Sequence, residues 1–261
     1  MILSSWTYRR FIWENAWREL WFRYVGSVMG FLWNAIHPLF QILIYTLVFS
    51  QIIPARIPNM SSGFGFAIYL CSGLIPWMGF SETVTRCTNS FIANANYLKK
   101  VSIPEQVFVI QNASSCFMNL AISVAIFIAV CIVLGHSPAL SWLALPLVLV
   151  LLQGFGFGLG LFLGVMNAFF RDISQALTLF LQLWFWITPI VYMESVLPDW
   201  ARGMLYLNPI FYFVRASQNI IVERTWPHWS SFAIMFSIAA GFSTLGYLTL
   251  IRLRSEIRDA L

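Results

Sequence analysis

The sequence predicts an all-α, polytopic integral membrane protein with six transmembrane helices. Five stretches of the 261-residue chain contain no charged residue, and they cover residues 24–55, 57–81, 106–170, 173–193 and 225–251. A helix needs about 20 apolar residues to cross the hydrocarbon core of a bilayer, so each stretch is long enough for one crossing. The third is long enough for two, because Gly135, His136, Ser137 and Pro138 interrupt it. Hydrophobic residues make up 59% of the chain and charged residues only 10%, whereas about a quarter of the residues in soluble domains are charged.

The segment before the first span is predicted to be an amphipathic helix over residues 6–24, with Ser5 as its N-cap. Its apolar face contains Trp6, Trp13, Trp17, Leu20 and Tyr24, and its polar face contains Arg10, Glu14, Asn15, Arg18, Glu19 and Arg23. Glu14 with Arg18, and Glu19 with Arg23, are spaced to form ion pairs along one helix. A tryptophan-rich face opposite a charged face is typical of a helix that lies in the headgroup plane of a membrane.

Polar residues recur on one face of three predicted spans. The first span carries Asn34, His37, Gln41 and Tyr45 at helical spacing, the fifth carries Ser174, Thr178, Gln182 and Phe185, and the third carries a weaker series of Asn112, Ser115, Asn119 and Ser123. Pro38 is expected to kink the first span. Polar groups are costly in lipid and tend to face a bundle interior or a wet cavity. These stripes therefore predict either a substrate path or hydrogen bonds between packed helices.

The fourth span is predicted to pack very closely against another helix. Gly156, Gly160 and Gly164 lie on one face as a doubled GxxxG pattern, which lets two helix backbones approach each other. The spacing does not fit the G-x-G-x-x-G pattern of a dinucleotide-binding loop. We therefore interpret these glycines as packing residues.

Two connections between spans are long enough to have functions of their own. Residues 89–105 form the longest cytoplasmic connection and include Asn96, Tyr97, Leu98, Lys99, Lys100 and Glu105. This segment is either a lipid-facing turn or a short docking helix for a soluble partner. Residues 194–224 form an external segment, in which prolines and aromatic residues predict short helices half-sunk in the outer membrane interface.

The distribution of basic residues predicts the orientation. With the N-terminus inside, eleven of the fifteen Lys and Arg residues fall on the side of both termini, and the other side keeps Arg56, Arg202, Arg215 and Arg224. Cytoplasmic loops carry the excess of Lys and Arg, so both termini are expected in the cytoplasm. This bias and attraction to anionic lipid headgroups account for the net charge of +5 without a nucleic-acid partner.

The sequence offers no motif for catalysis or for binding a nucleotide. It contains no G-x-x-x-x-G-K-[ST] pattern, so the chain is not expected to bind ATP itself. His37, His136 and His228 are far apart in the sequence, and the four cysteines form no CxxC pair. Neither a catalytic residue nor a metal site or cofactor is therefore predicted in this chain.

Several segments resemble, in the same order, those of the ABC-2 type permeases that export bacterial cell-surface polysaccharides. The chain resembles the first segment of the family's sequences at residues 23–33, at Pro38 and at residues 45–50. It resembles the family's second-span motif at residues 73–77. Its coupling segment resembles residues 94–104, and its inner loop resembles Asn167 with residues 170–173. Its outer gate region resembles Trp186 and residues 188–190 with Asn208 and Pro209. The resemblance covers nearly the whole chain.

The resemblance implies a single transmembrane domain over residues 1–261, with an interfacial helix over 1–25, a coupling segment over 89–105 and an external gate over 194–224. It implies a homodimer in the bacterial inner membrane, bound to two ATP-binding subunits that hold ATP and Mg²⁺. The expected cargo is a lipid-linked polysaccharide, O-antigen first, with teichoic acid or capsule as relatives. Asn96, Tyr97, Leu98, Lys99, Lys100 and Glu105 would dock on the ATPase. Basic residues at the inner interface, Arg18 and Arg23, would hold the lipid headgroup.

Three other functions remain open at this point. Export of a small drug or lipid by the same family is the nearest alternative. A membrane enzyme acting on polyprenyl-phosphate glycans would need a cluster of acidic or metal-binding residues at the interface, which the sequence does not offer. An ion-coupled transporter would need ionisable groups near the midplane, where only His37 qualifies.

Overall fold

The computed structural model describes residues 8–22, 29–52, 64–100 and 103–260, and within these ranges the chain forms ten α-helices and no strand. The helices are α1 (Arg9–Phe22), α2 (Trp33–Ile52), α3 (Gly65–Ala93), α4 (Ala95–Lys100), α5 (Gln106–Val133), α6 (Leu145–Phe169), α7 (Ile173–Ile187), α8 (Asp199–Leu205), α9 (Pro209–Gln218) and α10 (Trp229–Ala260). The predicted all-α class is confirmed for this part of the chain.

Three helices among the described residues are long and apolar enough to cross a bilayer. They are Gln106–Val133, Leu140–Phe169 and Trp229–Ile257. α7 is apolar but has only 15 residues, and α2 and α3 lie at the positions of the first two predicted spans. Each of the six predicted spans therefore coincides with a helix, whereas the six-span topology itself stays a prediction.

The long third apolar stretch divides between α5 and α6, as its Gly-His-Ser-Pro interruption predicts. Gly135 has a φ of 81°, which a residue without a side chain adopts at little cost. The amide of Gly135 donates to the carbonyl of Ile132, and the amide of His136 donates to that of Cys131. This is the Schellman arrangement, which ends a helix by satisfying its last carbonyls.

α3 is the central helix of the described bundle. It packs against α2, α5, α6, α7 and α9, and most of its side chains from Gly65 to Phe91 are buried. The ring of Phe80 lies 4.9 Å from that of Phe155 in α6 and 5.7 Å from that of Trp184 in α7, measured between centroids. The other helices are therefore arranged around α3.

The predicted glycine face of α6 packs against α3. A Cβ atom on Gly160 would lie 2.5 Å from the Cβ of Cys87, and one on Gly164 would lie 2.9 Å from the carbonyl oxygen of the same residue. Gly156 faces Phe80 and Thr83 at 3.3 Å. The prediction of a close packing face is therefore confirmed.

A second close contact joins the opposite side of α6 to α10. A Cβ atom on Gly158 would lie 2.3 Å from the backbone nitrogen of Ser243, and one on Gly246 would lie 2.6 Å from the carbonyl oxygen of Gly158. The hydroxyl of Ser243 also donates to the carbonyl of Gly154 at 3.1 Å. α6 therefore contacts the backbone of another helix on two sides, and the GxxxG spacing predicts only one of them.

Two predicted helix ends were wrong. The cytoplasmic connection was expected to begin at Asn89, but α3 continues to Ala93. Glu82 and Arg86 lie within α3 and form the ion pair that their spacing indicates. The fifth stretch ends at Met193, but α7 stops at Ile187. Thr188 precedes Pro189 and is extended, since a proline disfavours helical geometry in the residue before it.

The faces predicted for the amphipathic helix were partly wrong. In α1, Ile12, Ala16 and Leu20 are buried, and α1 packs against α5. Leu20 thus packs on the bundle at the edge of the predicted apolar face, whereas Trp13, Trp17 and Trp21 are exposed. Glu19 was placed on the polar face, but it forms an ion pair with Arg86 of α3. Ser5, Trp6, Arg23 and Tyr24 lie outside the described residues.

The external segment is more deeply packed than predicted. α8 is mostly exposed, but Ile210, Phe211, Phe213 and Val214 of α9 are at most 1% exposed. α9 packs against α3, where Gly73 leaves room for Val214 and Gln218. α9 therefore packs closely on the bundle, whereas its depth in the membrane interface stays a prediction.

We expect Gly158→Ala to lower the stability of the protein by about 1–3 kcal/mol, the usual cost of overpacking. The added methyl group would meet the backbone of α10, which cannot rotate away as a side chain can. The apparent melting temperature of detergent-purified protein, followed by tryptophan fluorescence, measures the effect.

Gly154→Ala in the same helix is the matched control. Its added methyl group would meet only the Cβ of Ala239, at an ordinary distance of 3.6 Å, and alanine favours a helix over glycine by about 1 kcal/mol. This control should melt at or above the wild-type temperature. Equal melting of the two variants would contradict the close backbone contact.

Candidate functional site

A cavity of about 200 Å³ lies between α2, α3 and α5; we call it the α2 cavity. The predicted first-span stripe lines it together with Glu82 of α3 and part of the α5 stripe: the polar lining residues are Asn34, His37, Gln41, Tyr45, Glu82, Asn119 and Ser123. Pro38 is also part of the wall. The α2 cavity thus gathers hydrogen-bonding groups from three helices at one place.

Some of these polar residues join helices to each other. The amide nitrogen of the buried Asn34 donates to the carbonyl of Leu20 at 3.1 Å and so connects α2 to α1. The amide of Asn119 in α5 donates to Glu82 of α3 at 2.9 Å. His37 is exposed, and Gln41 and Tyr45 are half-buried. The stripe therefore combines packing residues with residues that remain accessible.

A second concavity, of about 400 Å³, lies between α3 and α7; we call it the α7 groove. Its wall is formed by Trp77, Ser81, Thr85, Thr178, Leu181, Gln182, Phe185 and Trp186. Three of the four predicted fifth-span residues are among them. The fourth, Ser174, accepts a hydrogen bond from Thr178 through its backbone carbonyl. Aromatic rings beside hydroxyl and amide groups form an amphipathic surface.

The two predicted stripes do not face each other within one chain. α3 separates them, because it lines the α2 cavity with Leu74, Met78 and Glu82 but lines the α7 groove with Trp77 and Ser81. Residues four apart share a face of a helix, and their direct neighbours do not. A path bounded by both stripes would therefore need a surface from outside this chain.

The cytoplasmic connection contains α4, whose side chains point in two directions. Asn96, Tyr97, Lys99 and Lys100 are exposed, whereas Leu98 is 1% exposed. Leu98 belongs to an apolar cluster with Phe91 and Phe108. It cannot contact a partner directly, and a change such as Leu98→Asp would disturb folding instead.

Glu105 also lies in the interior. It is fully buried and accepts a hydrogen bond from the guanidinium of Arg254 in α10, at 2.7 Å. This ion pair ties the start of α5 to the end of α10. Glu105 was predicted to dock on a partner, and the structure instead gives it a contact with its own chain, because a buried carboxylate needs a partner within the fold.

Several polar contacts were not predicted as a group, although the resemblance had named some of their members. Asn208 caps α9 by accepting from the amide of Ile210. Its side chain also accepts from the indole of Trp184 at 2.7 Å and donates to the hydroxyl of Thr188 at 3.0 Å. The Asn-Pro dipeptide at 208–209 is a helix-start signal. One asparagine therefore joins α7 to the external helices.

A second asparagine acts similarly at the other end of α7. The amide of Asn167 donates to the carbonyl of Thr88 at 3.2 Å, and its oxygen accepts from the backbone amide of Ser174. It is completely buried. α7 is thus anchored to α3 and α6 at its start and to the external helices at its end.

A turn of π-helix follows α9, and His136 forms a hydrogen bond with one of its backbone carbonyls. The segment Asn219–Glu223 has π geometry, and its Ile221 carbonyl lies 2.7 Å from Nε2 of His136. The guanidinium of Arg224 lies 3.3 Å from Nδ1 of the same ring. Arg224 has a φ of 58°, which few residues other than glycine adopt. Sequence spacing alone gives no sign of this contact.

The residues predicted to hold a lipid headgroup are only partly described. Arg18 of α1 is exposed on the same helix as the exposed Trp13 and Trp17, a combination suited to the headgroup region. Arg23 lies outside the described residues. Within the described ranges, no three His, Cys, Asp or Glu side chains come together in a way that could hold a metal ion.

Comparison with known proteins gives consistent matches over most of the chain. A family model described as ABC-2 type transporter matches residues 10–222. The chain is 32% identical to an O-antigen export system permease protein RfbA of Klebsiella pneumoniae, over 74% of this chain and 73% of the relative. It is 30% identical to the RfbA protein of Myxococcus xanthus, over 87% and 86%. It is 23% identical to the polysialic acid transport protein KpsM of Escherichia coli, over 92% and 91%.

We expect Arg254→Ala to destabilise the protein, because Glu105 would lose its cationic partner while staying buried. Loss of a partner by a buried polar group costs about 1–3 kcal/mol, and more when the group is charged. The melting temperature in detergent should fall accordingly. Arg252→Ala is the control, since Arg252 is exposed on the same helix. If both variants melt like the wild type, the ion pair does not hold the end of α10.

Proposed function

The chain belongs to the ABC-2 type transporter family, and we propose that it is the membrane-spanning subunit of an ATP-driven exporter of a lipid-linked cell-surface polysaccharide, with O-antigen as the foremost candidate. The observation that carries this proposal is the similarity to O-antigen export permeases over about three quarters or more of both chains. The matching region includes α1 to α9, and therefore the α2 cavity, the α7 groove and the external helices.

The amphipathic character of the α7 groove supports a carbohydrate cargo. Sugars offer hydroxyl groups for hydrogen bonds and apolar ring faces for stacking. Thr178 and Gln182 can exchange hydrogen bonds with such hydroxyls, and Phe185 and Trp186 can stack on the rings. A path for a polysaccharide must accommodate many successive sugar units. Hydrogen bonds and ring stacking suit this requirement, since neither is specific for one particular sugar.

The source of energy lies in a separate subunit under this proposal. The sequence has no phosphate-binding loop, so ATP and Mg²⁺ would be held by a partner ATPase. The exposed side chains of α4, Asn96, Tyr97, Lys99 and Lys100, form its docking surface. Leu98 holds this short helix on the bundle from behind. The chain itself is therefore a transport subunit and not an enzyme.

We propose six spans, α2, α3, α5, α6, α7 and α10, in the bacterial inner membrane, with both termini in the cytoplasm. The excess of basic residues on the side of the termini supports this orientation. α8 and α9 would then lie at the outer end of the path as its gate. At the inner end, Arg18 and Arg23 would meet the phosphate groups of the lipid carrier.

A homodimer supplies the missing wall of the path. The α2 stripe and the α7 stripe lie on opposite sides of α3, so a conduit that uses both requires a second copy of the chain. α7 exposes both polar and apolar side chains. The polar ones are Thr178 and Gln182, and the apolar ones are Leu179, Phe180 and Leu183. The polar members would face the conduit, while the apolar members would face lipid or the second copy.

Loss of the chain from its native host should remove the glycan from the cell surface and leave it, still lipid-linked, on the inner side of the membrane. A plasmid carrying the wild-type chain should restore surface glycan. Lys99→Glu combined with Lys100→Glu should restore less than about a tenth of it, because reversed charges would oppose docking of the ATPase. Gel analysis and antibody labelling of surface polysaccharide measure the outcome.

Arg252→Glu is the matched control for the charge change, since it reverses an exposed basic residue away from α4. It should complement fully. Normal surface glycan in the deletion strain would refute export of this polysaccharide, and export of a small drug or lipid would then become the better explanation. Normal export by the double lysine variant would refute the docking surface alone.

Single cysteines on the two stripes should react with a water-soluble maleimide. In a background without the four native cysteines, Gln41→Cys and Gln182→Cys should be labelled in membranes with the assembled exporter. Leu43→Cys lies two residues from Gln41, and Leu183→Cys lies one residue from Gln182. Both control cysteines are expected to face lipid and to stay unreactive. Labelling followed by mass spectrometry measures the difference.

Trapped glycan should protect the reactive cysteines when export is stalled. Protection of both stripes would mean that both line the conduit. Protection of Gln182→Cys alone would restrict the path to the α7 groove. If paired positions such as Gln182→Cys and Leu183→Cys are labelled equally, the conduit does not run along that stripe.

A further inference from the structure

Arg86 is shared by acidic residues of two helices. Its guanidinium forms ion pairs with Glu19 of α1 and with Glu82 of its own helix α3, the latter at 3.5 Å. The three side chains are each about a quarter exposed. α5 completes the arrangement, because Asn119 donates to Glu82 and Asn112 donates to the backbone carbonyl of Arg86. The guanidinium therefore lies where three helices meet.

Stability alone is a weak explanation for this cluster. α1 already packs on α5 through the buried residues Ile12, Ala16 and Leu20, and a partly buried ion pair is often no more stabilising than an apolar pair of similar size. An ion pair instead fixes orientation, since it is satisfied in only one relative arrangement of the two helices. The contact of Glu19 with Arg86 thus determines how α1 lies against α3.

The cluster can also release α1 at a limited cost. Removing one partner of a buried pair is normally expensive because it leaves the other charge unpaired. Here Glu82 remains beside Arg86 on the same helix, whatever α1 does. The arginine therefore keeps a carboxylate within ion-pair distance in two arrangements, one with Glu19 and one without it.

The rest of α3 connects Arg86 to the cytoplasmic surface. The eight residues from Arg86 to Asn94 span about 12 Å of helix. Asn94 closes α3 by donating its backbone and side-chain amides to the carbonyl of Ser90, and its own carbonyl accepts from the amide of Leu98 in α4. Leu98 is buried beside Cys87 and Phe91 of α3. α4 is therefore joined firmly to the last turns of α3.

We propose that Arg86 is a positioning residue that transmits movement of α4 to α1 and so sets the cytoplasmic entrance for the cargo. The inference rests on the proposed function, because it takes α4 as the docking surface of the ATPase. Movement of α4 turns the end of α3, which moves the guanidinium between its two arrangements. α1 is held closed while Glu19 is engaged and is freed when Arg86 pairs with Glu82 alone.

The test uses the complete exporter, this chain with its ATPase, in proteoliposomes that contain the lipid-linked glycan. Glu19→Gln keeps the pair of Arg86 and Glu82 and removes only the link to α1. It should hydrolyse ATP within about twofold of the wild-type rate but move about tenfold less glycan per ATP, within the range typical of coupling between sites. Glu14→Gln is the control, because Glu14 is exposed and pairs with Arg10 on its own helix; it should behave as wild type.

A charge exchange distinguishes the pair from a structural effect. Glu19→Arg combined with Arg86→Glu places an arginine on α1 opposite two carboxylates on α3, and it should restore at least half of the wild-type glycan per ATP. Failure of this rescue, or a parallel loss of hydrolysis and export in Glu19→Gln, would overturn the proposal. So would a Glu19→Gln exporter with unchanged glycan per ATP.

A second measurement does not depend on the cargo. Arg18→Cys in an otherwise cysteine-free chain should change its rate of maleimide labelling when ATP is added, and this change should vanish when Glu19→Gln is present as well. An ATP response that survives Glu19→Gln would overturn the role of the ion pair. If the Arg18→Cys complex shows the ATP response while the wild-type complex exports no glycan, the proposed cargo would be refuted and the role of Arg86 would stand.

Discussion

The contact of backbone with backbone along α6 is the constraint on which the rest of the fold depends. Glycines on two sides of α6 bring α3 and α10 so close that no side chain separates them. Lipid gives helices no hydrophobic reason to associate, so such close packing supplies much of the attraction. With these three helices fixed, α3 becomes the wall against which α2, α5, α7 and α9 are placed.

The central position of α3 also means that its different surfaces contribute to different parts of the bundle. One of its sides contributes to the α2 cavity and another to the α7 groove, while its cytoplasmic end carries Arg86 and leads into α4. The proposed docking surface, the proposed inner entrance and both concavities thus all involve the same helix. Two polar residues of the weak α5 stripe, Asn112 and Asn119, donate hydrogen bonds to this helix directly.

Hydropathy and glycine spacing predicted the helix positions, the break at Gly135 and one packing face of α6, because each depends on residues that are close in the sequence. The burial of Leu98 and Glu105 could not be predicted in this way. Glu105 pairs with Arg254, which is 149 residues away in the sequence. A hydropathy average includes each charge but contains no information about its ion-pair partner. The same limitation applies to Glu19, whose partner Arg86 lies 67 residues further along the chain. The two stripes were identified as polar, but their separation by α3 is a property of tertiary packing.

The short length of α9 has a consequence for how the chain is made. Its ten residues extend for about 15 Å, half of the thickness of the hydrocarbon core, so it cannot be inserted as a span while the ribosome is synthesising the chain. Its binding site consists of Gly73 and its neighbours in α3, which is synthesised much earlier, and the capping of α9 involves the end of α7. α9 therefore reaches its place by packing onto a helix that has already been synthesised, and not by crossing the bilayer on its own.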